Sequence, residues 1–434
     1  MQAQAQAVEL PRKLGLVDGV AIIVGTMIGS GIFLVPNLVA RNVSTPGAII
    51  GVWVFSGVLS FFGALAYAEL GAMFPATGGQ YVYLREAYGS LLAFLSGWTL
   101  FFTALTAAVG WLSINFTNYL RQFISFGPGT AKVVAVGLIA CLTYANYRGV
   151  TAGAAVQKTL TALKLLGLAI LIFGAFFGRA PAAVQPAGGG FSVSHFGVAM
   201  IAALLSYDGW VALTYVAGEV RNPKRNLVLA LGLGMAVVMA VYILANIAYL
   251  RVLTIPEIAG AERVGGLTAE RALGSAGATI VSLTILLSIA GASNGWLLTA
   301  PRMYFAQARD GLFLRSFRAI HPRYQTPYVA VIVFGAWSAA LAVSGTYEAL
   351  ASLAMFSVWI FYGFTAAGVL VLRRKDPDRP RPFPMWGYPV TLILFLLVAL
   401  AFVLNTMIST PGPALVSMAI IACGVPVYYF WKRT

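Results

Sequence analysis

The sequence predicts an all-α membrane protein of twelve transmembrane helices, built as two inverted five-helix repeats plus two C-terminal helices. Three observations predict it. Of 434 residues, 60% are hydrophobic and only 9% carry a charge, against about 25% charged in an ordinary soluble domain. Apolar runs near the ~20 residues needed to cross a bilayer recur along the whole chain. The lysines and arginines between those runs are distributed unevenly, 20 of 28 falling on one side if the spans alternate and 7 on the other, as the positive-inside rule expects. This composition excludes a cytosolic enzyme, a secreted disulfide scaffold and a disordered regulator.

The spans fall at 17–40, 47–73, 88–118, 130–147, 153–178, 195–219, 227–250, 274–303, 327–344, 348–372, 386–408 and 412–431. Glycine, proline and charge clusters separate them: TPG at 45–47, FPATGG at 74–79, RNPKRN at 221–226 and RRKDPDRPRPFP at 373–384. The basic tufts place both termini in the cytoplasm of a cell (inner) membrane. The predicted organisation is a cytoplasmic N-terminal segment at 1–16, a first repeat at 17–178 and an extracellular loop at 179–194. A second repeat at 195–372, a cytoplasmic loop at 373–385 and a closing pair of helices at 386–434 follow. The first helix of each half is the one expected to break around a substrate.

The net charge of +15 does not point to nucleic acid, because the basic residues sit in short tufts between apolar runs rather than on one soluble face. Cys141 and Cys423 lie in apolar runs and suggest no disulfide framework. His195 and His321 stand alone, so neither a metal nor another cofactor is expected. The N-terminus, MQAQAQAVELPRK, lacks the basic-then-apolar pattern of a signal peptide.

Two interruptions stand near mid-span. The first, Gly25-Thr26-Met27-Ile28-Gly29-Ser30-Gly31, has three glycines in seven residues. No lysine follows the Gly-Ser, as a phosphate loop requires. Gly25 and Gly29 form a GxxxG pair suited to helix packing. The same stretch also suits an unwound segment, whose free N–H groups at the start of the second half-helix would bind a carboxylate. Ser30 would add a hydroxyl donor, and carbonyls ending the first half-helix would face an ammonium. The second interruption is Ser206-Tyr207-Asp208-Gly209-Trp210. Asp208 lies roughly 20 Å along its helix; it is either a functional intramembrane acid or an N-cap of the second half-helix. Tyr207 and Trp210 also suit packed aromatics.

Lys164 lies about 16 Å into the fifth span, too deep for its ammonium to snorkel. It requires carbonyls, water or an acid as partners, or loss of its proton. Glu69 and Glu219, at span ends, are expected to be interfacial ion-pair partners, Glu219 beside Arg221. The stretch TGGQYVYLREAYG at 77–89 reads as an interfacial segment or as a turn with an aromatic belt.

GTMIGSGIF (25–33), AELGAMFPATGGQYVYLREAYG (68–89), SYDGW (206–210), GEVRNPKRN (218–226) and LVLRRKDPDRPRPFP (370–384) carry a resemblance over nearly the whole chain. It is to the amino acid–polyamine–organocation superfamily. Within that superfamily the chain resembles the L-type amino acid transporters, which include light chains of heteromeric transporters and bacterial serine/threonine exchangers. The resemblance implies a broken-helix fold moving amino acids by alternating access. It implies that the substrate carboxylate meets Gly29, Ser30 and Gly31, that Thr26 belongs to the same segment, and that the α-amino group meets carbonyls of Met27, Leu205 and Asp208. Tyr207 belongs to the second break. Asn294 matches the helix-8 segment facing the site, and Trp359 matches an aromatic position of helix 10. Lys164 matches the helix-5 lysine whose ammonium takes the place of the cation that sodium-coupled relatives hold between helices 1 and 8.

Two departures qualify this. Family light chains join a heavy chain through a cysteine after helix 3, and the 119–131 loop has none, so no disulfide-linked partner is expected. Trp296 stands beside Asn294-Gly295 and, facing the site, would favour small side chains. The resulting expectation is a sodium-independent exchanger of small neutral L-amino acids, with no enzymatic activity and only substrate and lipid bilayer as partners. Proton-coupled symport through Lys164 is the alternative within transport, and a non-transporting amino acid sensor the alternative outside it.

Overall fold

A computed structural model describes residues 9–178, 183–185, 190, 192–345 and 347–433. Residues 1–8 of the predicted N-terminal segment and most of the predicted 179–194 loop lie outside them. The regular structure of the described residues is helical, and the one β-bridge among them joins Leu14 to Val220.

The first predicted span is three pieces, α1 (Leu16–Met27), α2 (Gly31–Leu34) and α3 (Pro36–Asn42). The second is α4 (Pro46–Met73). It starts where Thr45 accepts the N–H of Ala48 at 3.2 Å and Pro46 takes the first helical position, which needs no N–H donor. The 77–89 stretch contains a short helix, α5 (Gln80–Tyr88). The third span is α6 (Ser90–Thr99) and α7 (Leu105–Leu120), joined through a π-helical turn at Leu100–Ala104. Next come α8 (Pro128–Tyr147) and α9 (Val150–Phe177).

The sixth span is split into α10 (Val193–Ser206) and α11 (Ala212–Tyr215), followed by a 3-10 turn at Ala217–Glu219. Then comes α12 (Pro223–Val252). Two short helices, α13 (Ile255–Gly260) and α14 (Val264–Leu273), occupy what the sequence reads as a plain connection. They pack on α3 and α2 respectively, which explains their apolar positions Ile255, Ile258, Val264 and Ala269. The remainder is α15 (Ser275–Thr299), α16 (Pro301–Arg309), α17 (Tyr328–Ser344), α18 (Tyr347–Lys375), α19 (Val390–Ser409) and α20 (Pro411–Arg433).

Among the described residues, nine helical segments are long and apolar enough to cross a membrane, and Leu16–Met27, Val193–Ser206 and Tyr328–Ser344 are shorter apolar helices. Two of the three short ones are the pieces that precede the breaks, since an interrupted span leaves a stub. In the core, α1 packs against α12, α9 and α15, and α12 lies along α4.

One end of the molecule carries a set of ion pairs. Lys158 meets Asp18 at 2.7 Å, Arg373 meets Glu69 at 2.7 Å, and Arg85 pairs with Asp310. Glu219 does not pair with its neighbour Arg221. Its carboxylate takes Arg302 Nε at 2.8 Å, and neither side chain is exposed to any degree. Its carbonyl accepts the N–H groups of Lys13 and Leu14 at 2.8 and 2.9 Å. Arg302, near the end of the predicted 274–303 span, is thus a core residue. Its apolar surroundings leave its position unmarked by composition.

Candidate functional site

The first break follows from the glycines and from what approaches them. A Cβ on Gly25 would come within 2.0 Å of Gln157 Nε2, so α1 lies against α9 only because residue 25 has no side chain. After Met27, Ile28 leaves the helical region at φ −76° and ψ 88°, and helical geometry resumes at Ser30. The segment then runs on from α2 through Val35 at φ −59° and ψ −27° into α3. The N–H groups that open such a segment have no intrahelical acceptor. In the second break, Gly209 sits at φ +117°, and a Cβ there would come within 3.2 Å of Met27 N. Glycine therefore meets two demands at once, a left-handed backbone and contact with the other break.

Tyr242 of α12 ties the two breaks together. Its hydroxyl lies 3.0 Å from Met27 O and 2.9 Å from Ser206 O, so it serves the last carbonyl of α1 and that of α10. Tyr249, seven residues on, donates to Ile32 O at 3.2 Å. Neither tyrosine was a candidate from the sequence; the available signal was their seven-residue spacing, which puts both on one face of a helix.

Lys164 is fully buried and donates to three main-chain carbonyls, Gly25 O at 2.8 Å, Ile28 O at 2.6 Å and Ser288 O at 3.1 Å. Two belong to α1 and its break and the third to α15. Ser288 adds its hydroxyl to Ile28 O at 2.7 Å and Gly29 O at 3.0 Å. The ammonium thus occupies a cage of main-chain oxygens where helix 1 unwinds, and no carboxylate lies within 4.0 Å of it among the described residues.

A cavity of about 560 Å³ opens at the two breaks. Of the residues singled out from the sequence, Thr26, Met27, Gly29, Ser30, Gly31, Leu205 and Asp208 line it, as does Trp296. Leu34, Trp111, Met355 and Phe402 add apolar wall. No member of the four ion pairs lines it. Asp208 accepts the Tyr362 hydroxyl at 2.8 Å. It does not cap α11, whose N-cap position is Val211.

Besides Lys164, three predicted residues stand outside the cavity wall. Tyr207 is fully buried behind it, packed on Trp53 and Tyr242, with its hydroxyl donating to Trp53 O at 3.1 Å. Asn294 is bound into an amide cluster, donating to Gln157 Oε1 at 2.7 Å and accepting from Asn146 at 2.9 Å. This cluster joins α8, α9 and α15. Trp359 lies one ring behind the wall, stacked on Phe402 at a centroid distance of 4.7 Å.

The arrangement offers N–H donors and a serine hydroxyl beside main-chain acceptors within one apolar cavity, a set suited to both ends of a zwitterion. Known proteins resemble the chain along nearly its whole length. The amino acid permease family model matches residues 14–429. The chain is 33% identical over 438 residues to the b(0,+)-type amino acid transporter 1 of Mus musculus, covering 98% of this chain and 89% of that one. It is 32% identical over 430 residues to the serine/threonine exchanger SteT of Bacillus subtilis (strain 168), covering 98% of each. It is also 33% identical to the human cystine/glutamate transporter, over 98% of this chain and 86% of that one. These relatives are transporters, not enzymes. The chain therefore belongs to the amino acid permease family of the amino acid–polyamine–organocation superfamily, in its L-type amino acid transporter branch.

Proposed function

We propose that this protein is a sodium-independent exchanger of small neutral L-amino acids, working by alternating access with twelve membrane crossings and two inverted five-helix repeats. The observation that carries the reading is the convergence of both helix breaks on one cavity, with Ser30, Gly31 and Asp208 in its wall. The substrate carboxylate docks at Gly29–Gly31, on the N–H groups of Ser30 and Gly31 and on the Ser30 hydroxyl, the Gly29 N–H being engaged by Met27 O at 2.9 Å. The α-amino group docks on the carbonyls at the ends of α1 and α10. Met27 O accepts the Gly29 N–H at 2.9 Å and lies 3.0 Å from the Tyr242 hydroxyl, whose single proton also has Ser206 O at 2.9 Å, so the ammonium takes the place of Tyr242 on Met27 O. The apolar wall and Trp296 favour a small uncharged side chain. Tyr207, Asn294 and Trp359 serve the site from behind it, by holding Trp53, α15 and Phe402 in place.

Sodium independence rests on Lys164. Its ammonium already occupies the carbonyl cage at the first break, so a second cation there would meet like charge at contact distance. On this reading the ion pairs at the far end hold that end shut while the cavity is open to the other. With both termini cytoplasmic, that open face is the extracellular one.

The test is counterflow into proteoliposomes preloaded with serine, threonine, alanine, leucine, phenylalanine or arginine. Serine, threonine or alanine should drive uptake that is indifferent to sodium and absent from empty vesicles. Uptake into empty vesicles that follows an imposed pH gradient would replace exchange by proton coupling. Ser30→Leu should abolish binding in a folded protein; normal uptake by that variant would remove the first break from the site.

A further inference from the structure

A second cavity lies on the flank of the helix bundle, away from the breaks. It is a groove of about 460 Å³ between α8 and α17, walled almost wholly by apolar atoms. Val136, Ile139 and Tyr144 form one side and Ile332, Ala336 and Ala339 the other. From Val136 to Tyr147 the α8 side spans roughly 17 Å at ~1.5 Å per residue. That is close to one leaflet of a hydrocarbon core ~30 Å thick.

The groove ends at a cationic and aromatic cluster. Tyr144 and Tyr147 belong to the groove. Arg148 Nη1 donates to the Tyr144 hydroxyl at 3.2 Å, and its guanidinium lies 5.3 Å from the Tyr324 ring centre. Arg323 sits 5.6 Å from the same ring. Lys13 reaches the neighbouring Gln325 at 2.9 Å. Among the described residues, none of these three cations has a carboxylate within 4.0 Å, whereas Lys158 and Arg373 at the same end of the bundle both do. Three cations on rings and an amide, at the mouth of a leaflet-deep apolar channel, complement one ligand shape: a negative head on a hydrocarbon tail. Basic pockets between membrane helices bind anionic headgroups in this way.

We infer that the α8–α17 groove is a binding site for an anionic phospholipid, with an acyl chain in the groove and the headgroup phosphate on Arg148, Arg323 and Lys13. The aromatic rings fix the arginines in place, so the phosphate meets a preset fork rather than mobile side chains.

The test uses the full-length purified protein in nanodiscs of phosphatidylcholine, alone or with phosphatidylglycerol, and reads retained lipid by native mass spectrometry. Phosphatidylglycerol should be retained over phosphatidylcholine, and Arg148→Gln with Arg323→Gln should reduce that preference by roughly fivefold per arginine removed. Arg148→Lys with Arg323→Lys, which keeps the charge, should preserve most of it. Ala336→Trp, at an exposed position in the groove, should displace the retained lipid. Inorganic phosphate should not compete, since it lacks the tail. Equal phosphatidylglycerol retention by the wild type and the double glutamine variant would overturn the site. Loss of a dimer or of a co-purifying single-span helix in the Ala336→Trp variant, with lipid unchanged, would likewise overturn it and assign the groove to protein.

Discussion

Removing Arg302 while keeping Glu219 should tip the protein toward the conformation in which the ion-paired end is open. Both side chains are fully buried, and Glu219 is also the point where the Lys13–Leu14 segment before α1 attaches by two main-chain bonds. One residue, through its carboxylate and its main-chain carbonyl, therefore fastens the arms that carry both breaks to α16. Deleting one partner of a buried pair costs about 3–5 kcal/mol, because it strands the other charge. On the proposed cycle, that penalty applies only while the end is shut, since water reaches the residue once it opens. At 1.4 kcal/mol per tenfold, even the lower figure moves the equilibrium by about a hundredfold. The charges are not perfectly met in the wild type, for Arg302 Nη2 and Glu219 Oε2 have no partner among the described residues, so the lower figure is the one to use. The assay is maleimide labelling of a cysteine placed at Thr299, a fully buried position one turn before Arg302, in a background with Cys141 and Cys423 replaced by serine. Arg302→Met should label at least tenfold faster than the parent. Arg302→Met with Glu219→Leu should label slowly again, since an apolar pair of similar volume carries no stranded charge. Equal labelling of parent and single variant would mean that the pair holds the fold and not the gate.

Three further outcomes follow from the geometry. Lys164→Ala removes the ammonium from three carbonyls and should slow exchange tenfold or more while changing substrate binding at the open face far less; equal losses in both would reduce Lys164 to a structural strut. Tyr242→Phe removes the hydroxyl shared by Met27 O and Ser206 O, at about 1–3 kcal/mol for buried groups left unpaired. It should weaken substrate binding about tenfold with little change in expression, and unchanged affinity in a binding titration would refute its part in shaping the site. Glu257, which caps α13 outside the spans, is held at about 2 rather than near 4.5 by the Arg271 guanidinium and then by Thr254. A carboxyl depressed in the folded state stabilises it above the usual value and loses that contribution as pH falls. Amide protection of α13 should therefore decline between about pH 4.5 and pH 2, and a flat profile that matches Glu257→Gln would show that the cap contributes nothing.

Much of the fold was legible because a bilayer imposes a length and a polarity on each helix. The boundaries of α4, α8 and α17 lie within two residues of the predicted spans. The breaks were legible for a different reason: glycine clusters and an acid at mid-span are costly unless used. What the sequence hid is pairing across the fold. Arg302 and Glu219 stand far apart in the chain and look like span-end charges, yet they pair with each other in the core. Tyr242 and Ser288 are ordinary residues in apolar helices, and only their facing carbonyls at the first break give them a role. Asn294 and Trp359 show the converse. Both stand near the cavity, but their side chains are taken up by Asn146 and Gln157 and by Phe402.

The first break is gripped from two directions, and this bears on exchange. Lys164 and Ser288 bind its carbonyls to α9 and α15, while Tyr242 binds it to α12 and to the end of α10. For α1 to move with α10, the first grip must loosen and the second must hold. Drawing the carbonyls of Gly25 and Ile28 away leaves a buried ammonium with Ser288 O alone, in a setting without a neighbouring carboxylate, which is unfavourable for an empty carrier. On the proposed cycle a bound amino acid reinforces the second grip, because its two ends join α2 to α10 across the cavity. Substrate therefore changes the balance between the two grips rather than merely filling space, and only such a differential interaction can shift a conformational equilibrium. An empty carrier that pauses and a loaded one that moves is the behaviour of an exchanger, and in this molecule it reduces to which set of donors holds the last carbonyls of α1.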